Sequence, residues 1–267
     1  TGLILVDEQT ALTASLDFTV KRWDLETGDT LEIFTTGDST SGLLLSPNEE
    51  SIYILRSLTI RQSPISNLSA EQDRFMREWY PSDLHPDNQS DFGTISTATL
   101  AQNAPVMPVG YGSGLLAVWE LETLEPITAI QGSAYLEMAI HPDGTQMALG
   151  TLFGTLEIWD IDPDSSTYLS ILHNIENDLA GTGLVDYNAD GSQIVWGVSD
   201  YFNTQASALY VVDSETGDIV QTFDTSQHLN TVRAVRFMAD NAQIVSGCQP
   251  LNVMGEADLI IWDIETG

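Results

Sequence analysis

The residue types that most often carry chemistry are present in this sequence, but few stand at spacings that indicate a site. Four histidines, His85, His141, His173 and His228, are scattered, and none lies at metal-binding spacing from another histidine or from the single cysteine, Cys248. No nucleophile elbow, phosphate loop or dinucleotide fingerprint occurs. Because the chain has 39 acidic residues, pairs of carboxylates arise by chance. The sequence therefore predicts no catalytic residues, no cofactor and no metal.

The one run that approaches a metal motif is Asp160, Asp162 and Asp164. Acids at alternate positions open an EF-hand calcium loop, but the twelfth place of that loop requires a bidentate acid and is Ile171 here. We interpret the three acids as solvated turn residues, and a calcium site is the weaker alternative.

The charge balance excludes two classes of partner. Against 39 acidic residues there are 8 basic ones, a net charge of −31. Such a field repels phosphate backbones and anionic lipid surfaces, so we expect neither nucleic-acid binding nor membrane insertion. The acidity is typical of a well-hydrated surface, and the alternatives are a saline habitat or a cationic or calcium-bearing partner.

One segment of the chain recurs and defines its elements. An apolar strand with a two-residue period ends in Trp-Asp or an equivalent pair, and a turn containing Glu, Thr and Gly often follows. The copies span 18–29, 115–123, 155–162, 209–217 and 259–267. A degenerate copy without tryptophan lies at 51–63. Such recurrence predicts one supersecondary unit, copied and stacked.

Each unit also has a shared upstream half, in which a short apolar strand runs into a tight turn and a second strand. The turn reads Pro-Asn, Pro-Asp-Gly, Asn-Ala-Asp-Gly or Ala-Asp-Asn at 47–48, 142–144, 188–191 and 239–241. These residues favour tight turns because proline fixes φ and Gly, Asp and Asn tolerate the later positions. The second strands are predicted at 145–149, 192–198 and 242–247.

These motifs, in frame over nearly the whole chain, resemble the WD40-repeat β-propellers. The resemblance implies an all-β fold, a β-propeller of four-stranded antiparallel blades. Six units are visible, the sixth without its fourth strand, and we expect a seventh to complete the ring. It also implies a non-catalytic scaffold for protein–protein interaction, and we expect this scaffold to be a module of a larger protein. The degenerate repeats, the scarcity of lysine and the acidic surface are typical of a prokaryotic protein. The alternative is a propeller enzyme, or a small-ligand or cation binder, that uses acidic residues at the central channel.

The same resemblance implies a buried set of His, Ser or Thr, Asp and Trp that pins each blade. The first unit matches three of the four, with Ser15, Asp17 and Trp23. The Asp place of later units holds Ser113, Phe153, Ala206 and Glu256. The His place is matched by His228 alone, with Ser246 and Trp262 as its expected partners.

Residues 64–92 interrupt the rhythm and are predicted to be an insertion. A capping box at 69–72 begins a short helix that ends near Pro81. Phe75, Met76 and Trp79 share one side of this helix. Phe75 and Trp79 are candidates for partner contact, and the alternative is that they pack on the blade edge.

Two long connections between second and third strands, 199–207 and 248–257, are predicted to emerge on one face of neighbouring blades. They carry apolar residues of the kind that anchor interfaces, and the alternative is that these loops bury them. The partner-binding candidates here are Tyr201, Phe202, Leu251, Val253 and Met254.

The domain prediction is a single propeller over 1–267, cut from a longer chain. If the ring is open, self-association becomes possible, because an unpaired strand edge seeks a partner. The acidic surface and the scarcity of lysine favour an extracellular or cell-surface location.

Overall fold

The computed structural model describes residues 2–37, 40–56, 60–68, 74–75, 95–100, 106–121, 123, 126–132, 135–179, 181–200, 207–228, 231–248 and 258–267. These residues form six antiparallel sheets, so the all-β prediction is confirmed. In each sheet the strands follow one another in chain order, and each pairs with the next. Within the described ranges no helix has the length and apolar character that crossing a membrane requires. The chain divides into two compact units, Thr1–Gln131 and Gly132–Gly267.

The first compact unit, Thr1–Gln131, contains three sheets. Sheet A has the strands Gly2–Leu5 (β1), Thr10–Ala14 (β2), Thr19–Asp24 (β3) and Thr30–Thr35 (β4). Sheet B has Thr40–Leu45 (β5), Ser51–Arg56 (β6), Ile60–Pro64 (β7) and Arg74–Phe75 (β8). Sheet C has Ile95–Ala98 (β9), Val106–Tyr111 (β10), Leu115–Glu120 (β11) and Pro126–Gln131 (β12).

The second compact unit, Gly132–Gly267, also contains three sheets. Sheet D has the strands Tyr135–Ile140 (β13), Gln146–Thr151 (β14), Thr155–Asp160 (β15) and Ile171–Glu176 (β16). Sheet E has Gly181–Tyr187 (β17), Gln193–Asp200 (β18), Ser207–Asp213 (β19) and Ile219–Phe223 (β20). Sheet F follows a 3-10 turn at Thr225–Gln227 and has Val232–Phe237 (β21), Gln243–Cys248 (β22) and Leu259–Asp263 (β23).

Within each unit, apolar residues of neighbouring sheets share a core. In the first unit Leu12 and Val20 of sheet A pack in one cluster with Ile52 and Ile54 of sheet B. In the second unit Leu156 of sheet D joins Val185 and Trp196 of sheet E. Burial of this kind stabilises the sheets by roughly 25 cal/mol per Å² of apolar surface removed from water. Within each compact unit, neighbouring sheets are thus held together through their faces.

The fourth strands β4 and β16 are more exposed than the middle strands of their sheets. On β4 the side chains of Leu31 and Ile33 are largely exposed, whereas every residue of β10 is buried. The repeated Trp-Asp segments coincide with the third strands of five sheets, as the period-two pattern predicts.

The segment predicted to be a helical insertion contains a strand instead at the point the structure describes. Arg74 and Phe75 are extended and pair with Gln62 and Arg61 of β7, so the helix prediction is wrong at Phe75. An unpaired edge of β7 offers backbone donors and acceptors, and pairing with it satisfies both chains. Residues 69–73 and 76–94, including Met76 and Trp79, lie outside the described residues.

Candidate functional site

The turn that follows the repeated tryptophan is organised by the aspartate after it. The Oδ1 atom of Asp24 accepts hydrogen bonds from the backbone N–H groups of Glu26 and Thr27, at 2.9 Å each. Asp213 and Asp263 bind the corresponding turns in sheets E and F. A glycine with positive φ, such as Gly28 at 76°, closes each turn. The backbone bond from Thr27 holds the pKa of Asp24 below its usual value, so this repeated acid is a turn cap rather than a reactive group.

A chain of buried polar side chains crosses sheet F. The indole N–H of Trp262 donates to Ser246 Oγ at 2.7 Å, and Ser246 Oγ lies 2.7 Å from His228 Nε2. On the other side of the ring, His228 Nδ1 contacts a carboxylate oxygen of Asp258. The structure thus brings together His228, Ser246 and Trp262, which the sequence paired, and adds Asp258 as the fourth member.

The carboxylate of this row is not in the place assigned from the sequence. Glu256, six residues before Trp262, was assigned to the Asp place, but Asp258 contacts His228. Asp258 lies four residues before Trp262. Asp258 stands two residues before Ile260, which lies opposite Ser246 across the ladder, so Asp258 is placed on the same face as Ser246. Glu256 itself lies outside the described residues.

The order Ser246–His228–Asp258 has the connectivity of a hydrolase triad, in which a serine hydroxyl bonds an imidazole that bonds a carboxylate. Its surroundings differ from those of a triad. Ser246 is 1% exposed, and its oxygen already accepts the indole N–H of Trp262. A nucleophile must reach a substrate carbonyl, and a hydroxyl enclosed between two strands does not. Ser246 therefore lacks the access to substrate that a nucleophile requires.

In sheet A a different residue takes the role that was assigned to Ser15. The indole N–H of Trp23 donates to Thr13 Oγ1 at 2.8 Å. Trp23 pairs with Ala11 across the ladder, so Thr13 lies on the same face two residues further along β2, within diagonal reach. Ser15 lies beyond the strand end, where its hydroxyl oxygen accepts the backbone N–H of Asp17, while Asp17 accepts from Thr19. Assigning Ser15 and Asp17 to the Trp23 network was therefore wrong.

In sheet D the tryptophan uses a charged partner from its own strand. Trp159 lies opposite Met147, and the place that holds Ser246 in sheet F holds Leu149. The indole N–H of Trp159 donates to Glu157 Oε2 at 2.9 Å. Glu157 is 7% exposed, and burial raises the pKa of its carboxyl.

A row of three charged residues joins the first strands of sheets D, E and F. Glu137 on β13 lies 2.9 Å from Arg236 on β21 and accepts the backbone N–H of Val185 on β17 at 3.3 Å. Asp186 on β17 accepts the backbone N–H of Phe237 on β21 at 2.9 Å. Burial raises the pKa of both carboxyls, and the Arg236 guanidinium opposes that rise. The row combines converging carboxylates with inter-sheet hydrogen bonds.

The calcium alternative involves the loop after β15. Asp160 accepts from the hydroxyls of Ser165 and Thr167 and from the backbone N–H of Asp162. Burial would raise the pKa of Asp160, but these bonds, led by that of Ser165, hold it below the usual value. Asp162 in turn accepts the N–H of Asp164. The acids thus bind the donors of their own turn, and a calcium site stays the weaker alternative.

The predicted partner-binding residues fall mostly outside the described part of the chain. Residues 201–206 and 249–257, which contain Tyr201, Phe202, Leu251, Val253 and Met254, lie there, as does Trp79. For Phe75 the structure gives the strand but not the side chain.

The sequence analysis missed one exposed aromatic residue in a turn between a second and a third strand. Phe18, five residues before Trp23, has φ of 69° and a side chain that is 49% exposed. The same turn position in sheets C and D holds Gly114 and Gly154, both with positive φ. The signal was available, because an aromatic residue stands where two other copies of the repeat have glycine.

No protein-family model matches this sequence, and no curated protein matches it significantly.

Proposed function

We propose that this chain is a non-catalytic interaction scaffold built as a WD40-like β-propeller, with sheets A to F as six of its blades. The proposal is supported by four-stranded meanders in chain order and by third strands that end in the same capped turn. It is also supported by apolar faces that neighbouring sheets share within each unit. A stack of such repeats presents a rigid surface whose loops vary, which suits recognition of a protein partner.

Phe18 is the observation that carries the interaction role. A bulky residue in the left-handed region costs about 1–2 kcal/mol, and here the strain presents an aromatic ring to water. Glycine occupies the same position in sheets C and D, so the turn itself does not need phenylalanine. The aromatic ring is therefore explained by contact with a partner.

Two further exposed apolar side chains occupy turns of the same kind, one in each compact unit. Leu16, in the same turn as Phe18, is 65% exposed. Phe153, in the equivalent turn of sheet D, is 61% exposed. Both turns connect second and third strands, the class of loop that carries Tyr201 and Leu251. With a net charge of −31, the partner surface that fits is an apolar pocket with a basic rim.

The test compares Phe18→Gly with the wild type. Because glycine adopts positive φ without strain, we expect the free energy of unfolding to be unchanged or raised by up to about 1 kcal/mol. Partner proteins cross-linked from an extract of the source organism and quantified by mass spectrometry should fall at least about tenfold in the variant.

The matched control is Leu31→Ser, which removes an equally exposed apolar side chain from the outer strand β4. We expect this variant to retain the same partners as the wild type. Equal retention by Phe18→Gly and the wild type would overturn the role of Phe18. Equal loss in both variants would show that contact is not localised to the turn.

The alternative function is a small-ligand or cation binder at the first strands. The raised pKa values of Glu137 and Asp186 favour it, because converging carboxylates with perturbed pKa often mark sites. The scaffold is favoured because both oxygens of Glu137 already bind Val185 and Arg236. Equilibrium dialysis against Ca²⁺ separates the two functions, since 1:1 binding that Glu137→Gln abolishes would support the alternative.

A further inference from the structure

Three metal-ligating side chains converge at one end of sheet F. His228 follows the 3-10 turn, Cys248 ends β22 and Asp258 precedes β23. One imidazole nitrogen, the thiol sulfur and one carboxylate oxygen all lie within 4.8 Å of one another. In the described part of the chain this is the one group of three such side chains at that spacing.

The three donor types match one class of metal. Zinc binds imidazole nitrogen, thiolate sulfur and carboxylate oxygen at about 2.0–2.3 Å in a tetrahedron, which sets its ligand atoms about 3.5 Å apart. The observed group therefore needs only small side-chain movements to surround the ion. We propose that His228, Cys248 and Asp258 form a Zn²⁺ site with a fourth position for water. Catalytic zinc sites often have three protein ligands of this kind, whereas closed structural sites have four.

Hydrogen bonds from neighbouring groups hold these side chains in place, as the residues around a zinc site orient its ligands. His228 Nε2 faces Ser246 Oγ at 2.7 Å, which leaves Nδ1 directed at Asp258 and available to a metal. The backbone N–H of Asp258 lies 3.3 Å from Cys248 Sγ and donates to it. This N–H fixes the position of the sulfur, and cysteine binds metal as its thiolate.

Charge and access are consistent with an ion at this place. Zn²⁺ with one thiolate and one carboxylate is locally neutral, and the net charge of −31 favours a cation over an anion. The side chain of Asp258 is 20% exposed, whereas that of His228 is fully buried. An ion therefore reaches the group from the Asp258 side, and the protons that the ligands release on binding pass to solvent.

The test is a titration of the purified full chain, stripped with a chelator, with Co²⁺ as the spectroscopic substitute for zinc. We expect a 1:1 complex with tetrahedral absorption and a thiolate-to-cobalt charge-transfer band, both abolished by an equivalent of Zn²⁺. Because the chain has one cysteine, that band reports on Cys248 alone. No charge-transfer band in the wild type would overturn the proposal.

Two variants and a control locate the site. Cys248→Ser is nearly isosteric, and we expect it to lose the band, while Asp258→Asn weakens Co²⁺ binding by about tenfold or more. Asp240→Asn removes an exposed acid from the same sheet and should leave the titration unchanged. A 1:1 complex unaltered in Cys248→Ser would place the ion elsewhere and refute the assignment.

Discussion

Sheets D and F provide the buried indole N–H of a tryptophan with different hydrogen-bond partners. Each buries a tryptophan near the end of its third strand, Trp159 at 5% exposure and Trp262 at 3%. In sheet F the indole donates to the neutral hydroxyl of Ser246 on the neighbouring strand. In sheet D the hydroxyl place is Leu149, and the indole donates to the carboxylate of Glu157 on its own strand.

The two sheets differ in how deeply their carboxylate is buried. In sheet F the carboxylate, Asp258, lies at the exposed end of a row that is neutral at its buried end. In sheet D the carboxylate itself is buried, and its ionised form is therefore disfavoured in the folded state. The repeat thus fixes the tryptophan but leaves its partner free to vary. Sheet F gains a connected network, and sheet D gains a pH-dependent contact.

The largest effect is expected from Ser246→Ala. This change leaves the indole of Trp262 and Nε2 of His228 without their shared partner, and each orphaned buried group costs roughly 1–3 kcal/mol. We expect the free energy of unfolding, measured by urea denaturation, to fall by about 3 kcal/mol. The matched change Thr13→Ala removes the single partner of a less buried tryptophan and should cost about 1 kcal/mol. Equal losses would refute the connected row.

An intermediate effect is expected from Arg236→Met, which removes the cation that joins sheets D and F. The Arg236 side chain is 55% exposed, so solvent screens the pair, and we expect a loss of about 1 kcal/mol at pH 7. Because burial raises the pKa of Glu137 and Asp186, acid neutralises them and the loss should shrink toward pH 5. Arg233→Met, an exposed cation on the same strand, is the control. A loss that grows on acidification would contradict this account.

A smaller effect of opposite sign is expected from Glu157→Gln. The amide oxygen still accepts the indole of Trp159, while the buried charge is removed. Since the folded pKa is raised, the penalty is present at neutral pH and disappears as pH falls through that pKa. We expect the variant to be more stable by about 0.5–1 kcal/mol at pH 7 and to match the wild type in acid. Glu176→Gln, exposed on β16, should show no such pH dependence.

The smallest effect is expected at the turn caps. A backbone bond from Thr216 lowers the folded pKa of Asp213, so its contribution is present above the unfolded pKa and is lost as pH falls through the folded one. We expect Asp213→Asn to match the wild type in acid and to be slightly less stable at pH 7, so the acid side of its stability profile is flatter below about pH 4. A profile that stays as steep in the variant would exclude this cap as a source of acid lability.

The sequence predicted what depends on local patterns. The third strands and their turns were found because period-two apolar residues and capping acids act over a few residues. The partner of Trp23 required the register that sets it opposite Ala11, so Thr13 was missed. The contact of His228 with Asp258 spans 30 residues, and no local spacing encodes it. Glu157 was missed because a buried carboxylate within an apolar strand breaks the expected pattern.

The central claim is that Ser246, His228 and Asp258 do not form a nucleophilic triad and that the chain acts as the proposed scaffold. The direct measurement is the intact mass of the folded protein after incubation with a serine-reactive fluorophosphonate. Because Ser246 is 1% exposed and bonded on both sides, we predict that it stays unmodified. A single adduct that disappears in Ser246→Ala would show a reactive Ser–His–Asp triad and would contradict the claim.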